Sequence, residues 1–243
     1  MMSGIFSLEQ PSCAIAIAQI REDILFPTQR LPKEMIKKSL VLPAHRQLQF
    51  LTARILLAEL LHHYLGIEKL PQIKTGKNGR PHFESPDLPD FNISHSGGYI
   101  MVALSQFCHI GIDIEKSRPR SKLLALAEYS FSPKEYRYLC KLDTEKQKQL
   151  FWQLWTIRES MLKLVSKGVW QMKQIEIDLP SQSVISEFSQ NVYSLSHAAD
   201  PIYWAITTDR PLDISNISYW QATEDLTHLH KQPLPDLITI SSQ

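Results

Sequence analysis

The sequence predicts a protein of mixed helices and strands, and three observations carry that expectation. Residues 44–65 place Leu48, Leu51, Ile55, Leu56, Leu60 and Leu61 at helical spacing, with Gly66 as a natural stop. Tyr99 to Leu104 and His109 to Ile114 read as two strands joined by a short connection. Gln47-Leu48 before Arg54 and Gln149-Leu150 before Arg158 both sit in long helical stretches followed later by strands, which suggests two related halves without establishing a duplication. At 243 residues, 43% hydrophobic and 21% charged, the chain can form one large domain or two small ones and buries a real core either way.

Taken in order, Ala14 to Ile20 is short and apolar and suits a strand, and Leu31 to Leu40, with its prolines and lysines, suits a turn entering a helix. The helix of 44–65 follows. Thr75 to Pro81 and Asp87 to Asp90 are turn-rich, so Gly79 to Glu115 is expected to be strands and loops. Ser117 to Lys122, with Pro119, is a surface connection; Leu123 to Tyr129, Ser132 to Cys140 and Glu145 to Lys163 then have helix-forming composition. Ser132-Pro133-Lys134-Glu135 places a cap, a first-turn proline and an acid where a helix start needs them. Ile175 to Leu179, Val192 to Leu195, Tyr203 to Thr207 and Ile217 to Gln221 alternate as strands do, and the end of the chain is expected to be peripheral.

Charge and cysteine usage exclude several classes. Twenty-six basic against 25 acidic residues leave a net charge of +1, so no global field points to a nucleic-acid partner or to an anionic membrane. Cys13, Cys108 and Cys140 are far apart and odd in number, which fits neither a disulfide framework nor a zinc spacing and favours a reducing, cytoplasmic setting. No basic segment followed by an apolar run opens the sequence, and its longest apolar stretches fall short of the ~20 residues a membrane helix needs. The expectation is a soluble, unprocessed protein.

The chemistry starts at Gly111-Ile112-Asp113-Ile114-Glu115. Asp113 and Glu115 are two apart in a strand and share a face, while the alternate isoleucines bury the other. Two like charges there repel unless a cation or basic partner lies between them, and a hard divalent ion such as Mg²⁺ suits oxygen ligands. A solvated polar edge is the competing reading. Glu159 and Lys163, four apart on a helix, form either an exposed salt bridge or, in the apolar setting of Trp152, Trp155, Ile157, Met161 and Leu162, a packed pair that offers a third carboxylate. Asn92-Ile93-Ser94-His95-Ser96 before Gly97-Gly98 presents hydroxyls and an imidazole suited to phosphate oxygens; a capped turn is the plain alternative. A Ser–His nucleophile is disfavoured, because adjacent extended residues point opposite ways and no G-x-S-x-G elbow is present. Lys77, Arg80 and the glycines before Pro81 form either an exposed basic turn or a second phosphate contact.

Together these segments resemble the signature set of the 4′-phosphopantetheinyl transferases, in particular the larger Sfp type. Gly79-Arg80-Pro81, Phe91-Asn92-x-Ser94-His95-Ser96, Gly111-Ile112-Asp113-x-Glu115 and Trp155-x-x-x-Glu159-Ser160-x-x-Lys163 occur in the expected order within roughly Arg46 to Gly168, and Phe131-Ser132-Pro133-x-Glu135 is also similar. The resemblance implies an α+β fold of two similar α/β halves in a pseudo-two-fold arrangement, with the active site at their interface. The first half, 1–108, would carry coenzyme A phosphate contacts, and the second, 109–243, the metal site and carrier-protein docking. It implies Mg²⁺-dependent transfer of 4′-phosphopantetheine from coenzyme A, the co-substrate, to a serine of an acyl or peptidyl carrier protein, releasing adenosine 3′,5′-bisphosphate, by a monomer. Mg²⁺ would be held by Asp113, Glu115 and Glu159. Lys163 would stabilise or protonate the leaving phosphate, and the serine proton would go to Glu159 or to a metal-bound water. Arg80, Ser94 and His95 would contact coenzyme A phosphates, and Arg46 and Arg54, or Lys37 and Lys38, would reach the 3′-phosphate. The sequence departs from the family at Arg158, where many members have lysine; the charge is kept, and with it an electrostatic role toward phosphate. Lys116, Arg118, Arg120 and Lys122 offer four charges in seven residues, as an edge for an acidic carrier or as a solvated cluster. A metal-dependent phosphohydrolase and a non-catalytic coenzyme A or carrier-protein binding module are the alternatives.

Overall fold

Six of the seven residues of the first strand, β1 (Cys13–Gln19), are buried, and this two-sided burial sets the architecture. Residues 13–76, 78–188 and 190–242 are described by the computed structural model. Ala14, Ala16 and Ala18 face one core; Cys13, Ile15 and Ile17 face another. Small alanines on the first face let a long helix lie close.

That helix is the second of two, α1 (Lys33–Ser39) and α2 (Ala44–Leu65), and it ends on Gly66 with φ +69°, as its sequence predicts. Then come the small hairpin β2 (Ile73–Thr75) and β3 (Pro81–Phe83), and three longer strands, β4 (Asp90–Ser96), β5 (Tyr99–Ser105) and β6 (Ile110–Lys116). Helices α3 (Leu123–Ser130), α4 (Pro133–Leu139) and α5 (Thr144–Leu164) follow, α4 opening with a full capping box between Ser132 and Glu135. The remainder is β7 (Ile175–Asp178), β8 (Ser183–Ser186), β9 (Tyr193–Ala199), β10 (Ile202–Thr208), β11 (Ile217–Ala222), β12 (Leu229–Gln232) and β13 (Ile238–Ser242).

The long strands make two sheets, ordered β12-β11-β1-β5-β4 and β6-β10-β9-β13-β8-β7. Helix α2 covers one face of the first sheet, with Ile55, Leu56 and Leu60 against the alanines of β1 and Ile100, Val102 and Leu104 of β5. Helix α5 covers one face of the second, with Phe151, Ile157 and Met161 in one core with Tyr203 and Ala205 of β10. The remaining faces meet each other: Cys13, Ile15, Ile17, Met101 and Ala103 share a core with Ile110, Ile112, Ile114, Trp204 and Ile206. The result is a mixed α and β protein layered helix, sheet, sheet, helix.

One sequence expectation changes, and one pairing lies beyond what the sequence specifies. β5 and β6 are the two strands with a short connection that the sequence predicts, and they are not partners: β5 pairs with β1 and β4, whereas β6 pairs with β10. Hydropathy alternation specifies which face of a strand is buried, not which strand lies beside it. The chain passes from the first sheet to the second through 106–109, and returns to the first sheet at β11. Nor is the end of the chain peripheral. β13 lies inside the second sheet between β9 and β8, with Ile240 fully buried.

Candidate active site at the seam between the sheets

Strands β4 and β6 are the edges of their respective sheets, and side chains join them. Asp90, Asn92 and Ser94 alternate along one face of β4 and accept the backbone N–H groups of Ile110, Ile112 and Ile114 at 2.8, 3.4 and 3.2 Å. An edge strand's unpaired donors are thereby satisfied by short polar side chains instead of a neighbouring backbone. Arg80 locks one end of this seam. Its guanidinium donates to Asp90 Oδ2 at 2.6 Å, to the Ile110 carbonyl at 2.7 Å and to the Leu164 carbonyl at 3.3 Å, and also to the Lys163 carbonyl at the end of α5. Lys77 lies outside the described residues.

Gly111 brings α5 down onto the seam. A Cβ there would lie 2.1 Å from the Ser160 carbonyl oxygen and 2.5 Å from the Leu164 nitrogen, so only glycine permits this approach. Beneath the helix the buried hydroxyls of Ser160, Thr207 and Ser194 are linked in series at 2.7 Å each. Small residues at these positions set Glu159 and Lys163 over the strand face that carries Asp113 and Glu115.

The Lys163 ammonium donates to Asp113 Oδ1 at 2.7 Å and to Ser94 Oγ at 2.8 Å, and the Ser94 hydroxyl donates its proton to Asp113 Oδ1 at 2.8 Å. Lys163 thus pairs with Asp113, not with Glu159 as an exposed helix pair. Ser96 donates to Glu115. Sequence reasoning passes over Asp90 as a working group and reads Asn92 and Ser96 as phosphate or turn groups, although their period of two with Ser94 is a visible signal of one shared face. Burial, then the Asp113 charge, push the Glu159 carboxyl up to about 7, against the pull of Lys163. Burial likewise raises Glu115, with Asp113 adding to it. Asp113 Oδ2 is buried without a hydrogen-bond partner. Among the described residues no three His, Cys, Asp or Glu side chains are closed around one point as a finished metal centre. The donor set nonetheless fits a hard divalent cation: three carboxylates from two facing elements, one orphaned oxygen and mutual repulsion that a cation would relieve.

Ser94 and His95 do point opposite ways. His95 turns to the α2 side of β4, where it lines a cleft of about 530 Å³ with Arg46, Arg54, Gln49, Phe50 and Ile93. Burial lowers the Arg54 guanidinium's pKa, and its central carbon lies 4.9 Å from the centre of the Phe50 ring. Burial, then the charges of Lys163 and Arg46, hold the His95 imidazole below its ordinary value. Lys37 and Lys38 lie on the last turn of α1 and do not line this cleft. In the basic connection, the Arg120 guanidinium lies 4.9 Å from the Trp152 ring and 5.8 Å from that of Trp155, and Arg118 lies 5.8 Å from Trp152.

Arg158 takes no part in this site. It is fully buried, pairs with both carboxylate oxygens of Glu135, and donates to the carbonyls of Leu154 and Ile175 at 3.1 Å each. This position excludes the electrostatic role toward phosphate considered for it, since consecutive helix residues lie about 100° apart around the axis.

Residues 109–212 match the family model described as the 4′-phosphopantetheinyl transferase superfamily. The chain is 30% identical over 199 residues to the putative 4′-phosphopantetheinyl transferase slr0495 of Synechocystis, covering 78% of each chain. The chain belongs to the 4′-phosphopantetheinyl transferase superfamily. Another relative, the 4′-phosphopantetheinyl transferase AcpT of Salmonella typhi, is 32% identical over 62% of this chain and 76% of its own. The uncharacterized protein YieE of Escherichia coli K12 is 31% identical over 86% and 82%. Membership makes the chain an enzyme of the transferase class, with the mixed helices and sheets that such a fold has. No helix among the described residues is long and apolar enough to cross a membrane.

Proposed function

We propose that the chain transfers 4′-phosphopantetheine from coenzyme A to a serine hydroxyl of an acyl or peptidyl carrier protein, releasing adenosine 3′,5′-bisphosphate, as a holo-[acyl-carrier-protein] synthase. One observation carries this reading: three carboxylates and a lysine meet at the sheet seam, and β4 carries Ser94 to them and His95 to the adjoining basic cleft. A pyrophosphate at the seam would meet like charge from the carboxylates unless a divalent cation and Lys163 lay between them, whereas a nucleotide phosphate in the cleft would find complementary charge in Arg46 and Arg54.

Asp113, Glu115 and Glu159 would hold Mg²⁺, which when bound supplies Lewis-acid stabilisation of the pyrophosphate. The other roles belong to the chain's own side chains. The serine proton would go to Glu159, through an oxygen not engaged by the cation, or to a metal-bound water. Lys163 places an ammonium beside the seam to stabilise charge on the departing phosphate. Arg46, Arg54 and His95 receive the nucleotide phosphates in the cleft. Ser94 orients Asp113 and Lys163, and Arg80, engaged by Asp90 and the Ile110 and Leu164 carbonyls, holds the floor of the site in place of touching phosphate. The connection of Lys116, Arg118, Arg120 and Lys122, exposed except for the half-buried Arg120 and lying beyond Glu115, is assigned to an acidic carrier. The amino-terminal half up to residue 108 supplies the nucleotide cleft, and 109–243 supplies the carboxylates. A monomer in the cytoplasm completes the reading.

The deciding experiment is the intact mass of an apo carrier protein after incubation with the enzyme, coenzyme A and Mg²⁺, with a parallel sample in chelator. A gain of about 340 Da, the covalent mass of phosphopantetheine added in place of a serine proton, that disappears with chelator supports donor, acceptor and metal together. No gain on several acyl and peptidyl carriers, with coenzyme A hydrolysed or merely bound, overturns the reading in favour of a phosphohydrolase or a binding module.

A further inference from the structure

The Lys163 ammonium rests on the carboxylate that the proposed metal site needs. It lies 2.7 Å from Asp113 Oδ1, with Ser94 Oγ as its second partner at 2.8 Å. An ammonium and a divalent cation cannot both neutralise Asp113 at contact distance, because each would repel the other across a few ångströms. The two partners differ in freedom. The Lys163 side chain is 29% exposed and the Asp113 side chain 7%, so the lysine stem has a way out toward solvent and the aspartate does not. Asp113 Oδ2 stays orphaned even with Lys163 in place, so one ammonium does not satisfy this carboxylate.

We propose that Lys163 is a tethered counter-ion that competes with the divalent cation for Asp113, and that the cation binds by displacing it. The proposal rests on the metal reading given above. A single charge on Lys163 offsets one of the three carboxylates, Asp113, Glu115 and Glu159; a divalent cation offsets two and accepts several oxygens at once. The displaced ammonium needs a new anion, and a phosphate beside the metal supplies one. Lysine displacement thus links metal and phosphate binding: each phosphate that holds Lys163 away from Asp113 strengthens metal binding, and by reciprocity the metal strengthens phosphate binding. Ser94 touches both competitors' ground, its hydroxyl donating to Asp113 and accepting from Lys163.

The test is metal binding without turnover. Mn²⁺ affinity is measured by calorimetry and by the loss of the free-ion resonance signal, without coenzyme A, for the wild type, Lys163→Met, Lys163→Arg and Asp113→Asn. Lys163→Met is expected to bind Mn²⁺ about tenfold more tightly than the wild type, within the usual range of coupling between sites. Lys163→Arg, with a fork that grips the carboxylate more firmly, is expected to bind more weakly. The Mn²⁺-induced rise in melting temperature should be larger for Lys163→Met than for the wild type, because the ion then compensates a buried charge left unpaired. Equal or weaker binding by Lys163→Met overturns the competition; if that variant does not fold, equal or tighter binding by Lys163→Arg does so. Asp113→Asn separates the two ideas. Mn²⁺ binding unchanged by Asp113→Asn overturns the metal reading itself, whereas binding lost in Asp113→Asn but equal in wild type and Lys163→Met overturns lysine competition alone.

Discussion

Helix α5 carries two carboxylate–cation centres on different sides, and they are built on opposite principles. On one side Arg158 and Glu135 are densely partnered: besides each other they hold the carbonyls of Leu154 and Ile175, and the backbone N–H groups of Ser132 at 2.7 Å and Ile177 at 2.9 Å, with the Phe131 ring 4.4 Å from the guanidinium, and only Arg158 Nε is left without a partner among their charged atoms. On the other side Asp113, Glu115, Glu159 and Lys163 are under-satisfied, with an orphaned carboxylate oxygen and a glutamate held near neutrality. The Glu135–Arg158 pair fixes α4, α5 and β7 together and is shut away from any ligand by burial. An unsaturated cluster is costly to fold and retains the capacity to bind. Glu135 and Glu159 cannot be told apart by residue class; their neighbours decide.

Breaking each centre should therefore give opposite phenotypes. Asp113→Ala and Glu159→Ala should lower carrier modification by on the order of 10²–10³-fold, the size expected when a group stabilising developing charge is lost. Their melting temperatures should stay near that of the wild type, because Lys163 can turn to solvent once Asp113 is gone. A stability loss in step with the activity loss would erase the contrast between the two sides. Arg158→Met should do the reverse, costing about 3–5 kcal/mol in denaturant unfolding by stranding the Glu135 charge. Mn²⁺ affinity of the folded fraction should be unchanged, and a large drop there would mean that the Glu135–Arg158 side contributes to the proposed metal binding.

Gly111→Ala sharpens the comparison by moving the helix while every charged group is kept. The added methyl meets backbone, not a flexible side chain, and should cost about 1–3 kcal/mol as overpacking does. Carrier modification should fall more than stability does, because Glu159 and Lys163 shift off Asp113; activity preserved at reduced stability would show that their registration is loose. The smallest effect is expected from pH. The Glu159 carboxyl is raised in the folded state from its ordinary 4.5 to about 7, so folding binds a proton in that interval. This contribution is present below about pH 4.5 and is lost as the pH rises through about 7, and in chelator Glu159→Gln should flatten that decline. An unchanged slope in Glu159→Gln would assign the titration elsewhere.

Local signals in the sequence stand at their true positions. Helix α2 with its Gly66 stop, the Ser132 capping box and the alternation of β6 each depend on residues close in the chain, where periodicity and capping chemistry act. Spacing makes legible that Asp113 shares a face with Glu115 and Glu159 with Lys163; that the two pairs belong to one site is implied only by the resemblance to the family. What escapes is pairing across distance. Arg80 and Arg158 are guanidinium groups beside motif residues, and nothing in their neighbours tells that the acceptors for one are Asp90 and the end of α5, or that Glu135 waits for the other. β13 escapes because five residues with two isoleucines carry too weak a pattern to show an interior strand.

That interior strand has a consequence for how the enzyme is made. Residues 217–242 close both sheets, β11 and β12 beside β1, and β13 between β8 and β9. A ribosome releasing this chain in order therefore exposes β1 long before its partner β11 exists, and the second sheet stays split until β13 emerges. Such late, distant closures slow folding and leave apolar strands open meanwhile. Every residue proposed for the seam chemistry has left the ribosome by Lys163, yet the nascent protein waits for β11 and β13 before that seam has two complete sheets to stand on.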